Sequence, residues 1–177
     1  NKNIDNFKAI LEKLLEYGFT RKDAVIALGG GVTGDMAGFA ASCYMRGIDF
    51  YNIPTTLLAQ VDSLVGGKTG IDFGGIKNSV GTFHHPKAVI IDPDTLETLD
   101  RRLLHEGLAE AIKMASTSDS GLFELIESTD DLRGNIDTII ARAVNIKKKV
   151  VEEDPDEKGI RKLLNFGHTI GHAIESL

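Results

Sequence analysis

The sequence predicts an α/β fold followed by an all-α one: a Rossmann-like parallel-sheet unit over residues 1–100, then a helical unit over 101–177. Three observations predict it. Short apolar runs alternate with helical periods as far as Leu99, and helical periods alone follow from Arg101. A G-x-G-x-x-G segment, Gly29 to Gly34, stands between the first apolar run and the next helix.

Ile4 to Tyr17 reads as a helix, because Ile4, Phe7, Leu11, Leu14 and Leu15 share a face and Gly18 supplies a C-terminal stop. Ala24 to Leu28 is an apolar run ending in glycines, the pattern of a buried strand. A helix follows from about Val32 to Met45, with Asp35 in its first turn. Ile48 to Ile53 is a second strand, closed by Pro54. Thr55 to Val65 has a helical pattern, and the glycine-rich stretch Gly66 to Gly81 is expected as a loop. Ala88 to Ile91 forms a third strand, with a short helix near Thr95 to Leu99. This alternation implies a parallel sheet covered on both faces. Helices are then expected at about 102–116, 119–128, 135–152 and 161–176, with Asp119 and Asn135 as N-caps and a solvated turn over Glu152 to Lys158. A ligand cleft is expected between the two units.

The net charge of −6 excludes a general nucleic-acid surface, which would need a basic stripe. The lone cysteine, Cys43, has no internal partner, which fits a reducing cytosol and a cytoplasmic protein. No apolar run approaches the length of a membrane span, so no membrane partner is expected. The chain opens at Asn1 and stops at Leu177 within an expected helix, and so reads as a piece of something longer.

Four features bear on chemistry. Glycines at 29–34 let a phosphate approach backbone N–H groups at a helix N-terminus, where the helix dipole favours an anion. The acidic residue that usually follows at the end of the next strand is missing; Pro54-Thr55-Thr56 stands there instead. The turn is therefore nucleotide-binding in kind but not an ordinary Rossmann turn. Gly66-Gly67-Lys68-Thr69 is not a P-loop, since that pattern requires glycine where Asp62 stands. Lys68, Lys77 and Asn78 remain as donors for phosphate or carboxylate oxygens, against the alternative of surface lysines on a mobile loop.

Glu110 and Lys113 share a helix face, either as a solvent ion pair or as a charged stripe facing a cleft. Arg161, Asn165, His168 and His172 follow one another at helical steps, giving a stripe that a purely structural helix does not need. His168 and His172 can point into one cavity, either as packed histidines that hydrogen-bond a core or, with a carboxylate from another helix, Glu110 leading, as donors of a divalent-metal site. His84, His85 and His105 read as bystanders, and Lys147-Lys148-Lys149 as a solvated face from which one lysine can turn inward.

The chain resembles the 3-dehydroquinate synthase family of sugar phosphate cyclases. The resemblance rests on GGGVTGDMAGFAAS at 29–42, MRG at 45–47, IPTTLLAQVDSLVGGKTGID at 53–72, KNSVGTFHHPKAVIID at 77–92, GLAEAIK at 107–113 and RKLLNFGHTIGHAIE at 161–175. It implies conversion of the seven-carbon sugar phosphate DAHP to 3-dehydroquinate and phosphate in the shikimate route. A transient NAD oxidation, phosphate elimination, re-reduction and intramolecular aldol would carry the reaction, with zinc or cobalt as the divalent metal. It implies a homodimer as well.

By the same resemblance Glu110 and His168 look like metal ligands, and the family's third ligand belongs to a later H-G-E segment. Gly30, Gly31, Val32, Asp35, Thr55, Thr56, Asp62, Ser63, Lys77 and Thr98 look like NAD contacts. Arg46, Asp62, Lys68, Lys77, Asn78, Lys113, Lys147, Arg161, Asn165 and His172 look like substrate or catalytic positions, with His172 suited to proton transfer. Two departures stand out: Leu64 replaces a serine, and Ile76 replaces a glycine whose loss is expected to alter the loop's turn. The competing readings are another cyclase acting on sedoheptulose 7-phosphate, a metal-dependent polyol dehydrogenase that would release NADH, and a non-catalytic binding module. The isolated chain is expected to be inactive.

Overall fold

The computed structural model describes residues 1–63, 66–154, 159–167, 170, 171 and 174, with Ser63 described by its backbone alone. The first half is a parallel sheet of three strands, β1 (Ala24–Gly29), β2 (Asp49–Pro54) and β5 (Ala88–Val89), in the order β1-β2-β5. Ala24 pairs with Asp49 and Gly29 with Pro54, so the glycine turn and the Pro54-Thr55 corner leave the sheet side by side.

Helix α1 (Ile4–Glu16) is capped by the Asn3 side chain accepting from the Asn6 N–H. It stops at Gly18, whose φ of +68° is the left-handed conformation that glycine adopts without cost. Its buried face runs through Phe7, Ile10, Leu11 and Leu14, while Leu15, expected inside, is 68% exposed. Leu15 lies one helical step too far round from Leu14 to reach the core.

Helix α2 (Gly31–Cys43) covers one face of the sheet and is buried along nearly its whole length, which its small residues permit. A Cβ on Gly38 would come within 2.6 Å of the Thr69 methyl and 3.0 Å of the Phe50 ring, so only glycine fits. The helix ends at Cys43, before Met45, because Met45 and Arg46 take positive φ in a short 3₁₀ turn. The opposite face of the sheet is uncovered among the described residues: Ile26 is 65% and Leu28 63% exposed. The expectation of a sheet covered on both faces, and of a wholly buried first strand, is thereby corrected, since α1 and α2 both lie on one side.

The stretch expected as a loop at 66–81 is an antiparallel hairpin, β3 (Lys68–Phe73) and β4 (Ile76–Phe83). Gly74 and Gly75, at φ +61° and +79°, make its turn, and Ile76 enters β4 opposite Phe73. Gly70 and Gly81 face one another so closely that a Cβ on Gly81 would sit 2.1 Å from the Thr69 carbonyl oxygen. Glycine content here records close strand approach rather than an irregular loop.

Thr55 leads into a short helical stretch that is π-helical over Ala59–Ser63. The short helix expected at Thr95–Leu99 is a 3₁₀ turn at Pro93–Leu96, started by the Asp92 carboxylate accepting from the Asp94 N–H. Three helices follow: α3 (Arg101–Ser118), α4 (Ser120–Ser128) and α5 (Ile136–Glu153). Asp119 caps α4 as expected. Asn135 stands at the N-cap of α5 as expected, but its side chain makes no cap bond; its amide donates backwards to Thr129 Oγ1 and the Asp131 carbonyl.

Leu57, Val61 and Leu96 from the first half join Leu104, Ala111, Met114, Leu122, Ile139 and Ala143 from the second in one core. The π-helical turn is therefore the seam between the halves. The last expected helix is interrupted: Ile160–Asn165 is 3₁₀, Phe166 is extended and Gly167 has φ +80°. The single α-helical stripe from Arg161 through Asn165 onward is corrected to two segments, and His168 and His172 lie outside the described residues.

Candidate functional site

At the glycine turn, Gly30 caps α2 and Gly31 is its first residue, so their backbone opens at the helix N-terminus. A Cβ on Gly30 would lie 3.1 Å from the Thr56 methyl, which keeps this corner bare. The Thr55 N–H donates to the Gly29 carbonyl at 3.0 Å, and Thr56 Oγ1 accepts from the Ala59 N–H, so both threonines are locked beside the turn. Val32 is 53% exposed at the same corner. This bare helix start with two hydroxyl residues beside it fits the pyrophosphate and ribose of a dinucleotide. Thr98 is exposed in the segment before α3.

Asp35 lies in the second turn of α2 rather than the first, because the helix starts at Gly31. Lys2 Nζ donates to its carboxylate at 2.7 Å and also to Asn78 Oδ1. The Asn78 N–H donates to the Asp72 carboxylate at 2.8 Å, which holds the asparagine at φ +53°. Burial pushes the Asp35 carboxyl up; the hydrogen bond and charge of Lys2 oppose the rise, and Asp72 adds to it. Asp35, Lys68, Asn78 and Thr82 line one cleft of about 330 Å³ along the hairpin. Lys77 is exposed on β4 and is not among the residues lining that cleft. Sequence reasoning missed Lys2, and no pattern around it gave a signal.

The second cluster stands at the seam. Lys147, on α5, is 6% exposed and donates from Nζ to the Asp62 carboxylate at 2.6 Å and to the Asp62 carbonyl. Of the three consecutive lysines this one turns inward, while Lys148 pairs with Glu152 on the surface. Burial pulls the Lys147 ammonium down; Asp62 opposes that, and the charges of Arg161 and Lys113 add to it. Arg161 is 3% exposed and its guanidinium donates to the Gly66 carbonyl at 3.3 Å. The charge of Lys147 also lowers the Asp35 carboxyl slightly.

On α3, Lys113 and Glu110 pair as ions, with side chains 10% and 21% exposed, which rejects a solvent pair. Glu110 Oε2 is buried, and its contact among the described residues is the Lys113 ammonium. A buried carboxylate oxygen already facing a cation is the donor type a divalent metal takes, so Glu110 fits one. Among the described residues no group of three or more His, Cys, Asp or Glu could hold a metal ion; His168 falls outside them.

Not every expected residue gathers here. Arg46 is exposed beyond the C-terminal end of α2, away from the turn at its start. Asn165 is exposed on its 3₁₀ turn. His84 is used structurally, with Nε2 at 3.1 Å from the Ile48 carbonyl and its ring stacked on Phe50. No helix among the described residues is long and apolar enough to cross a membrane.

Comparison with known proteins agrees throughout the chain. The family model described as 3-dehydroquinate synthase N-terminal matches residues 1–106, and that described as 3-dehydroquinate synthase C-terminal matches 107–177. A 3-dehydroquinate synthase of Streptococcus mutans is 52% identical over 99% of this chain and 51% of its own length. One from Clostridium botulinum is 50% identical over 99% of this chain and 51% of its own. The chain thus spans about half the length of the curated relatives it matches.

Among solved structures, a 2-epi-5-epi-valiolone synthase from Streptomyces hygroscopicus with NAD+ and Zn2+ bound superposes with TM-score 0.89, at 36% identity over 94% of this chain and 48% of that one. A 2-deoxy-scyllo-inosose synthase complexed with carbaglucose-6-phosphate, NAD+ and Co2+ gives TM-score 0.87, at 30% identity over 98% of this chain and 49% of that one. An iron-containing alcohol dehydrogenase, 18% identical over 83% of this chain and 49% of that one with TM-score 0.59, shares the fold alone.

Proposed function

Since the chain belongs to the 3-dehydroquinate synthase family, we propose that the intact protein converts DAHP to 3-dehydroquinate and phosphate, as a phosphate-eliminating carbon–oxygen lyase of the shikimate pathway. The observation that carries this reading is the seam cluster. Lys113, Lys147 and Arg161 are drawn in from three different elements, together with Glu110 and Asp62. A solvent-facing role would not require burying those cations, and an anionic substrate would.

When bound, NAD supplies reversible oxidation of a substrate hydroxyl and zinc or cobalt supplies polarisation of its oxygen. Gly30, Gly31, Val32, Thr55, Thr56 and Thr98 would hold NAD, with Asp35, Asp62, Ser63 and Lys77 beside it; Glu110 and His168 would hold the metal. Lys68, Asn78, Lys113, Lys147 and Arg161 bind the carboxylate and phosphate. Their fixed positions hold one substrate through successive steps and keep water out. His172 holds or releases the proton at the leaving oxygen near neutral pH. The α/β unit at 1–100 is the cofactor side and the helical unit at 101–177 the metal and substrate side. The protein acts in the cytoplasm as a homodimer, and the net charge of −6 supports the absence of a nucleic-acid partner.

A phosphate assay on the intact protein with DAHP and trace NAD tests the proposal. Many equivalents of phosphate per NAD are expected. One equivalent followed by arrest, with NADH accumulating, would mean a dehydrogenase. Phosphate from sedoheptulose 7-phosphate but not from DAHP would mean another cyclase. NAD binding without any phosphate would leave only a binding module.

A further inference from the structure

We propose that Gln60 is a positioning residue for the cofactor: its buried amide fixes the corner that carries Thr55 and Thr56. The inference deepens the functional reading above and rests on those threonines holding NAD. Gln60 is 0% exposed within the apolar stretch Leu57 to Val61, where a polar side chain is costly unless it is used. Its Nε2, with two hydrogens to give, lies within hydrogen-bond reach of the Pro54 carbonyl at 3.2 Å, the Asp92 carbonyl at 3.0 Å and Thr95 Oγ1 at 3.1 Å, so one hydrogen is shared. Thr95 Oγ1 itself donates to the Asp92 carbonyl at 2.7 Å. The main-chain N–H of Gln60 donates to the Thr56 carbonyl at 3.0 Å. One residue therefore grips the chain immediately before Thr55 and again at Thr56.

The same amide joins two segments that leave the carboxyl ends of adjacent parallel strands. Pro54 ends β2, and Asp92 follows β5 on the way to Thr98. In open α/β sheets that end is where ligands bind, so the tie sits beneath the proposed cofactor corner. The tie is kept even though Gln60 Oε1, buried on the same side chain, has no hydrogen-bond partner among the described residues. Only a neutral donor of this length serves. A carboxylate would face the Pro54 and Asp92 carbonyls with negative charge, and an apolar isostere would leave them without their donor.

The test uses the intact protein with Gln60→Met and Gln60→Glu, measuring NAD Kd by calorimetry, zinc content, KM for DAHP and Tm. Gln60→Met is expected to weaken NAD binding by roughly tenfold or more, with zinc content and the KM for DAHP changing much less. Gln60→Glu is the check that a merely structural role would not pass. Protonated, it still donates, so its NAD affinity is expected near wild type at low pH and to fall as pH rises and the buried acid ionises. Wild-type binding in Gln60→Met, or a pH-independent Kd in Gln60→Glu, would overturn the positioning role. So would equal losses in NAD, zinc and DAHP binding. If Gln60→Met fails to fold, the Gln60→Glu pH profile alone decides it. Wild-type protein that binds no NAD would instead overturn the functional reading itself.

Discussion

Glu110 and Lys147 show how two single residues keep charge inside the protein at the seam. Glu110 Oε2 is buried and meets the Lys113 ammonium. If a divalent metal takes that oxygen, Glu110→Gln in the intact protein removes the charged ligand and metal content falls. His168→Ala is expected to do the same, whereas His172→Ala keeps metal and loses kcat; metal analysis and kinetics on the three variants check the division. Equal metal loss at both histidines would show that His172 is a ligand too. Lys147 makes a pH prediction. Burial lowers its pKa below the ordinary 10.5, so the unfolded chain holds that proton more tightly than the folded one. Between the lowered value and 10.5 the unfolded state binds more protons, and this residue's contribution to stability rises with pH. The stability of wild type relative to Lys147→Met is thus expected to climb through the alkaline range and level off above 10.5. Denaturant titrations at a series of pH values would show it, and a flat difference would mean that the ammonium is solvated.

At the scale of elements, the π-helical turn at 59–63 is the part on which the site depends. It carries Asp62 to Lys147, and α3 is pressed against the residues just before it. A Cβ on Gly107 would lie 2.4 Å from the Leu58 backbone nitrogen and 2.6 Å from Leu57 Cβ. Gly107→Ala gains about 1 kcal/mol of helix propensity, but a backbone atom cannot yield as a side-chain tip can. Overpacking of this kind costs about 1–3 kcal/mol. The variant is expected to be less stable in denaturant and to lose kcat as Asp62 shifts; an unchanged midpoint would show that the two elements separate freely. Much of this scale was legible in sequence. The long helices after Arg101 and the order of elements along the chain follow from apolar period and from glycine and proline punctuation. The hairpin at 68–83 was not, since Gly70 and Gly81 serve close strand approach while Gly74 and Gly75 make a turn, and composition does not separate the two uses. The break at Gly167 was hidden for the opposite reason: Arg161 and Asn165 keep a helical step even though the backbone between them is 3₁₀.

For the whole molecule, motif residues were legible because their chemistry is written in side-chain type, while their partners depend on long-range folding. Lys2 meets Asn78 across 76 positions and Lys147 meets Asp62 across 85, and no local pattern announces either. The same scale sets the behaviour of the 177-residue chain taken by itself. One face of its parallel sheet shows Ile26 at 65% and Leu28 at 63% exposure, with Ile90 at 52% beside them, although parallel sheets are ordinarily covered on both sides. Such a contiguous apolar face favours association. If Glu110 and His168 are metal ligands, they are two where a zinc site ordinarily has three or four. The chain alone is therefore expected to associate, to bind a hydrophobic dye, to hold zinc and NAD weakly and to show no turnover. Sedimentation, dye fluorescence and a zinc titration in the presence of DAHP and NAD would check this. Tight stoichiometric zinc would overturn it, by showing that a neighbouring chain or another residue such as His172 completes the metal site.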